Sequence, residues 1–179
     1  PPIELHASTQ THNAPPERVK FMEQVGFSRV ILARETSLEQ MEALRRQTSV
    51  ELEAFVQGAL CVSYSGQCYL SQYINGRSGN RGCCSQPCRS AYDLFDEQGN
   101  LIRRGQHLLS LKDFSAARHL QRMAAAGISS FKIEGRLKDM AYVKNVTAFY
   151  RQLLDNLMAH DGQYWPASSG KCTFFFTPD

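Results

Sequence analysis

The sequence lacks several things that would have decided its class early. No apolar run approaches the ~20 residues needed to cross a bilayer, so no membrane-spanning helix is expected. No His-Glu-x-x-His run exists, which removes the helix that a zinc metalloprotease would present. No two cysteines are separated by two residues, the gap common in zinc ribbons. Net charge is only +3, from 20 basic and 17 acidic residues, too little to demand a polyanionic partner. An initiator Met is also missing: the chain opens Pro1-Pro2, and it is expected to start inside a longer protein whose upstream segments it cannot reveal.

What remains is an ordinary globular composition. At 179 residues, 42% hydrophobic and 21% charged, the chain is long enough for one domain with its own core. Residues 3–7 read as a strand, and Pro15-Pro16 sit where a helix can begin, since proline is tolerated in a first turn. Val19, Met22 and Val25 recur at helical spacing, and Gly26 ends the run. Arg29–Ala33 has the look of a buried parallel strand. Thr36 and Glu39 form a capping-box pattern ahead of Leu38, Met41 and Leu44, and Val50–Val56 is the next strand.

This βαβαβ order argues for a parallel sheet covered by helices. About 35 residues rich in Gly, Cys, Ser and Arg then interrupt it, and a loop of that length in a compact domain is usually functional. Residues 91–95 and Leu101-Ile102 flank a turn and resemble a β-hairpin. The rhythm resumes with a strand at His107–Leu111, a helix carrying Leu120 and Met123 that stops at Gly127, a strand at Ser130–Ile133, and a long amphipathic helix from Val143 to Leu157. The count is five main strands and four helices. An eight-stranded barrel needs about 250 residues, so residues 1–160 are expected to form the C-terminal part of a TIM-like (β/α) barrel with an inserted cysteine-rich loop and hairpin. An open doubly wound sheet is the competing architecture. Residues 161–179, strand-like at Thr173–Thr177, read as the start of a following segment.

Five of the six cysteines lie between positions 61 and 88, and only Cys172 lies elsewhere. Disulfides would spread through a poorly cored fold, whereas clustering beside an adequate core favours a metal site. Gly66, Gly76, Gly79 and Gly82 would let the chain bend round a cofactor, and Pro87 stiffens the approach to Cys88. Arg77, Arg81 and Arg89 fall in the same stretch, a local basic surface suited to an anionic substrate, RNA included. Ordinary solvated arginines are the alternative.

The segment from Glu53 through Phe55, Gly58-Ala59-Leu60-Cys61, Gly66, Cys68 and Leu70-Ser71 resembles the signature of the collagenase-like U-32 peptidase family. Gly76-Arg77-Ser78, Asn80-Arg81-Gly82, Cys84, Gln86-Pro87-Cys88-Arg89, Leu109–Asp113 and Phe131–Arg136 continue the likeness, which runs from about residue 3 to 160. The tail, with Ser168–Cys172, resembles the longer members, the branch acting on a cytidine of the large ribosomal RNA. The resemblance implies a four-iron, four-sulfur (4Fe-4S) cluster held by Cys61, Cys68, Cys84 and Cys88, one prone to loss in air. It further implies base hydroxylation of ribosomal RNA or its precursor in the cytoplasm, with prephenate as hydroxyl source. Cys83 is then a bystander or spare ligand, because the family pattern places the ligand at Cys84. Four soft thiolates are also what an iron–sulfur cluster takes.

In a barrel the chemistry sits where strands end. That rule nominates Ser8, Gln10, Arg34, Glu35 and Gln57 as rim residues, and above all Lys112, Asp113, Glu134 and Arg136 for anion binding or proton transfer. The competing view makes these residues salt-bridged braces. His6 reads as a core histidine and His12 as a loop residue; relatives often carry histidine where this chain has Gln57. Two other functions stay open: a collagenase-like peptidase, which would need a thiolate paired with histidine, and a non-catalytic cluster-bearing scaffold. An open barrel edge would favour self-association.

Overall fold

The computed structural model describes residues 3–160, so Cys172 and the strand-like 173–177 lie outside the described residues. The main sheet holds β1 (His6–Ala7), β2 (Arg29–Ile31), β3 (Glu51–Ala59), β6 (Asp113–Ser115) and β7 (Ile128–Glu134). A separate hairpin pairs β4 (Tyr92–Phe95) with β5 (Leu101–Gln106). The α-helices are α1 (Pro16–Gln24), α2 (Leu38–Arg45), α3 (Leu70–Asn75), α4 (Leu120–Ala125) and α5 (Met140–His160). None is long and apolar enough to cross a membrane among the described residues.

β1, β2, β3 and β7 run parallel in chain order, each paired with the next, and β6 joins the end of β3 antiparallel. A doubly wound sheet reverses its strand order at a switch point; these four strands do not. The α/β reading therefore holds. No sheet closes among the described residues, so this stretch is an open sheet and does not by itself form a barrel.

Local chemistry sets the helix starts. Pro16 stands in the first turn of α1, where its missing N–H costs nothing. α2 is capped by Ser37, whose Oγ accepts from the Gln40 amide while Gln40 Oε1 accepts from the Ser37 amide. This is one residue later than the Thr36 and Glu39 pattern expected from sequence. The Thr36 amide is committed to the carbonyl of Ala33, which leaves the helix to begin after it.

The apolar core lies on one side of the sheet. Leu52, Ala54 and Val56 of β3 alternate toward it and meet Val19, Met22, Leu44, Leu120, Met123 and Val146 from the helices. The other residues of β3 face a polar row. Glu53, 8% exposed, takes Arg29 at 3.6 Å, Lys132 at 3.4 Å and the Ser130 hydroxyl at 2.8 Å. A buried carboxylate with three partners is offset against its desolvation.

Two other sequence expectations fail here. His6 is exposed, 3.9 Å from Glu4, because Ala7 takes the inward position of this two-residue strand. Residues 107–111 form no strand: Leu108, Leu109 and Leu111 stay 43%, 37% and 43% exposed, and β6 forms only from Asp113. That apolar run has no buried surface to pack on, so its composition misleads.

β3 bulges between Phe55 and Gln57, and Gly58 follows at φ +111°. A Cβ there would stand 2.2 Å from the Glu134 carbonyl oxygen. Only glycine lets β3 and β7 approach at this point. Gly58→Ala is therefore expected to cost about 3 kcal/mol or more through combined strain and overlap; a urea midpoint equal to the parent's would overturn this.

Candidate cysteine-lined site

After Ala59 the chain leaves the sheet, and the excursion is tied back to the ends of β1 and β2. Ser65, 2% exposed, is the main tie. Its Oγ accepts from the Arg34 amide at 3.1 Å and donates to Glu35 Oε2 at 2.9 Å, while its own amide donates to Glu35 Oε1 at 3.1 Å. Its carbonyl meets His12 Nδ1 at 3.0 Å. Gly66, at φ +74°, lies so close to the Gln10 carbonyl that a Cβ would stand 2.3 Å from it. Gln10 Nε2 in turn donates to the Gly79 carbonyl at 3.0 Å.

The excursion also folds on itself. The amide of Cys68 donates to Asn80 Oδ1 at 3.2 Å, and Ser71 Oγ accepts from the Ser85 amide at 3.0 Å. α3, absent from the sequence reading, forms within this stretch and ends at Gly76 in the left-handed region. Gln86 is also left-handed, at φ 58°, and its amide donates to Cys84 Sγ at 3.3 Å. Arg136 Nη2 donates to the Cys84 carbonyl at 2.7 Å, joining the excursion to the loop after β7.

These ties bring Cys61, Cys68, Cys84 and Cys88 to the wall of one cavity of about 100 Å³, together with Gln10, Arg34, Glu134 and Arg136. Burial pushes the Cys88 thiol up; Arg89 opposes this, and Cys61, Cys84 and Cys68 add to it, so the four sulfurs sense one another. Cys83 is exposed, with its Sγ 3.8 Å from the Arg81 carbonyl, and takes no part in the wall. All five cysteines among the described residues are free thiols.

Among the described residues no three His, Cys, Asp or Glu side chains are grouped so as to hold one metal ion. Thiolates on a tetrahedral zinc would lie about 3.8 Å apart, from Zn–S bonds of about 2.3 Å. Four thiols on one wall are, by type, the donors that iron–sulfur clusters take.

A second, more open pocket of about 540 Å³ shares Arg34, Leu60, Cys61 and Tyr64 with the first. Arg34 is the hinge between them. Its guanidinium lies 4.1 Å over the Phe55 ring and 3.3 Å from Glu134 Oε2, and its Nε is buried without a partner. An anionic group in either pocket would meet an oriented cation.

Of the residues nominated from sequence, Glu134 and Arg136 line the cavity, whereas Lys112 and Asp113 do not. Lys112 is exposed, and Asp113 is held by Lys138 at 2.6 Å and the Tyr142 hydroxyl at 3.3 Å. Arg77 and Arg81 are exposed on the excursion. Arg89 anchors it, donating to Ser110 Oγ at 2.7 Å, to the Leu111 carbonyl at 2.8 Å and to the Leu60 carbonyl. Ser8 caps a short 3-10 turn, and Gln57 is buried against the Tyr150 hydroxyl at 3.1 Å. Ser65 escaped the sequence reading, and Asn80 entered it only through the family resemblance, since neither residue type signals a tie between distant parts of a loop. No histidine lines either pocket among the described residues.

Parallel strands ending at a cavity walled by four thiols and an Arg–Glu pair define an α/β protein with a cysteine-lined site at the strand ends. The chain belongs to peptidase family U32, which it matches over residues 1–171. It is similar to the 23S rRNA 5-hydroxycytidine C2501 synthase of Escherichia coli, 52% identical over 99% of this chain and 27% of that protein. It is also similar to the tRNA hydroxylation protein P1 of Bacillus subtilis, 36% identical over 96% of this chain and 43% of that protein. A collagenase of Porphyromonas gingivalis is 32% identical over 86% of this chain and 40% of its own length. The chain thus spans less than half the length of each of these relatives. No solved structure matches it.

Glu35→Ala would remove both acceptors of Ser65. Hydrogen exchange should then show residues 61–69 opening about 1–3 kcal/mol more easily, with β3 unaffected. Uniform loss of protection across the sheet, or none at 61–69, would contradict this role.

Proposed function

We propose that this chain is the cluster-holding portion of an RNA base hydroxylase, with Cys61, Cys68, Cys84 and Cys88 as ligands of a 4Fe-4S cluster. One observation carries the reading: all four cysteines wall one cavity beside Arg34 and Glu134, in a chain 52% identical to a protein named as a ribosomal RNA hydroxycytidine synthase. When bound, such a cluster supplies one-electron or Lewis-acid chemistry that side chains lack.

The chain's own residues do the rest. Arg34, oriented by Phe55 and Glu134, would bind a carboxylate or phosphate in the open pocket, the role a carboxylate-bearing hydroxyl source such as prephenate requires. Glu134 Oε1 accepts from the Arg136 amide at 2.9 Å and Oε2 lies 3.3 Å from Arg34, so both oxygens are oriented at the cavity wall. The Gln86 amide, which donates to Cys84 Sγ at 3.3 Å, would orient that sulfur as a ligand. The substrate in this reading is a cytidine of large-subunit ribosomal RNA, met in the cytoplasm.

The polar face of the sheet, with Arg29, Glu53 and Lys132, fits the inside of a larger parallel structure, since parallel sheets are covered on both faces. Together with the sequential strand order, this supports a (β/α) barrel completed by strands beyond the described residues. A cysteine-peptidase reading has less to stand on, because no histidine lines the pockets among the described residues.

Full-length protein prepared without oxygen is expected to carry about four iron and four labile sulfide per chain. Ser in place of Cys61, Cys68, Cys84 or Cys88 should abolish this, while Cys83→Ser keeps it. Mass spectrometry of ribosomal RNA from a deletion strain should show a lost hydroxycytidine, restored by the parent gene and not by a Cys84→Ser variant. Iron unaffected by the four substitutions, or unchanged RNA, would sink the proposal.

A further inference from the structure

The excursion that supplies the cysteines also exposes large rings, of which Tyr64 borders the cavity and Tyr69 and Tyr73 do not. Tyr64, Tyr69 and Tyr73 are 66%, 66% and 91% exposed, and Ile74 beside them is 51% exposed. Tyr69 and Tyr73 stand one helical turn apart, the Tyr73 amide donating to the Tyr69 carbonyl at 2.9 Å, so their rings share a face. Tyr64 lines the cavity together with Cys68 and Leu70, the two residues that flank Tyr69 in the chain. Soluble proteins seldom leave three large rings this open without a partner for them.

The charge of the stretch says what kind of partner. From residue 54 to residue 92 there is no Asp and no Glu, while Arg77, Arg81 and Arg89 are all present. Arg89 is consumed in anchoring, but Arg77 and Arg81 are exposed, and Arg77 Nε uses only the Cys83 carbonyl at 3.1 Å. Open rings with arginine, on a segment that carries no carboxylate of its own, are complementary to unpaired nucleotides: bases stack on tyrosine, and phosphates meet guanidinium. A duplex keeps its bases stacked on each other and offers the rings nothing.

We propose that Tyr64, Tyr69 and Tyr73, with Arg77 and Arg81, form a stacking platform that holds single-stranded RNA beside the mouth of the cysteine-lined cavity. The platform rests on the RNA-hydroxylase reading and deepens it: the base to be modified arrives unstacked, with its neighbours held on tyrosine.

The test uses full-length protein prepared without oxygen and two fluorescein-labelled probes, an unstructured cytidine-rich 12-mer and a duplex of equal length, read by anisotropy. The single strand should bind more tightly than the duplex. Tyr73→Ala and Tyr69→Ala should each weaken it about tenfold, and Tyr73→Phe should bind as the parent does. Arg77→Ala or Arg81→Ala should lower the slope of log Kd against log salt by about 0.7, which the tyrosine variants leave alone. Iron content and melting temperature serve as controls, since Tyr73 is 91% exposed. Unchanged binding by the tyrosine variants overturns the platform, and is the result expected if this face docks a protein instead. Tyrosine-dependent binding without any hydroxylated cytidine overturns the proposed reaction and leaves the platform standing; hydroxylation with tyrosine-independent binding does the reverse.

Discussion

The site depends on one clasp: Ser65 held between the Arg34 amide and the Glu35 carboxylate. The segment from Leu60 to Ala91 has few apolar residues to bury, so hydrophobic packing alone cannot position it. It is positioned by polar ties instead, each worth little net in water but more where one member is shielded. Ser65, 2% exposed, is among the most shielded of these, and it ties the excursion to the residues that follow β2. Because only Leu32 and Ala33 separate Arg34 from β2, the clasp also fixes where the Arg34 guanidinium must go. One buried serine therefore sets both the start of the cysteine loop and the cation at the junction of the two pockets.

A second constraint comes from the sheet. Gly58 allows the backbones of β3 and β7 to close up where Glu134 leaves β7, and that approach places the Glu134 carboxylate opposite Arg34. The polar row Arg29, Glu53, Lys132 along the same face leads toward this pair, with Phe55 as the ring on which Arg34 rests. The apolar residues of β3 are committed to the other side. A single strand thus carries two alternating jobs, core and site, and its bulge is the point where the alternation is adjusted to bring Gly58 against β7.

Much of this was legible in the residues. The parallel order of β1, β2, β3 and β7 followed from periodicity and short connections, and the grouping of Cys61, Cys68, Cys84 and Cys88 followed from clustering and from resemblance to the U32 family. Gly66, Gly76 and Gly82 do adopt positive φ, whereas Gly79 instead sits close to Cys84. The failures have physical causes. Residues 107–111 are apolar enough for a strand but have nothing to pack against. Lys112 and Asp113 were nominated by their place after that strand, and with the strand gone they sit elsewhere. His6 was assigned inward by an alternation too short to be constrained. The capping box slipped by one residue because Thr36 and Ser37 are both competent caps, and only the turn before them decides. α3 was missed because six residues carry too little period to detect.

The absence of acid between residues 54 and 92 bears on both proposals through one electrostatic argument. Thiolates gathered at one centre repel each other; burial is the main cause that pushes Cys88 up, with Arg89 opposing it and Cys61, Cys84 and Cys68 adding to it. Carboxylates within the segment would add to that repulsion and oppose ligation, and the carboxylate that does reach the cavity wall, Glu134, is paired with Arg34. Arginine is the one charged residue that helps, and it cannot lose its proton. The same composition makes the outside of the loop attractive to phosphate. Electrostatics that favour a thiolate-bound centre inside the excursion therefore also favour nucleic acid on its surface, so the cofactor's needs and the substrate's are met by one choice of residues.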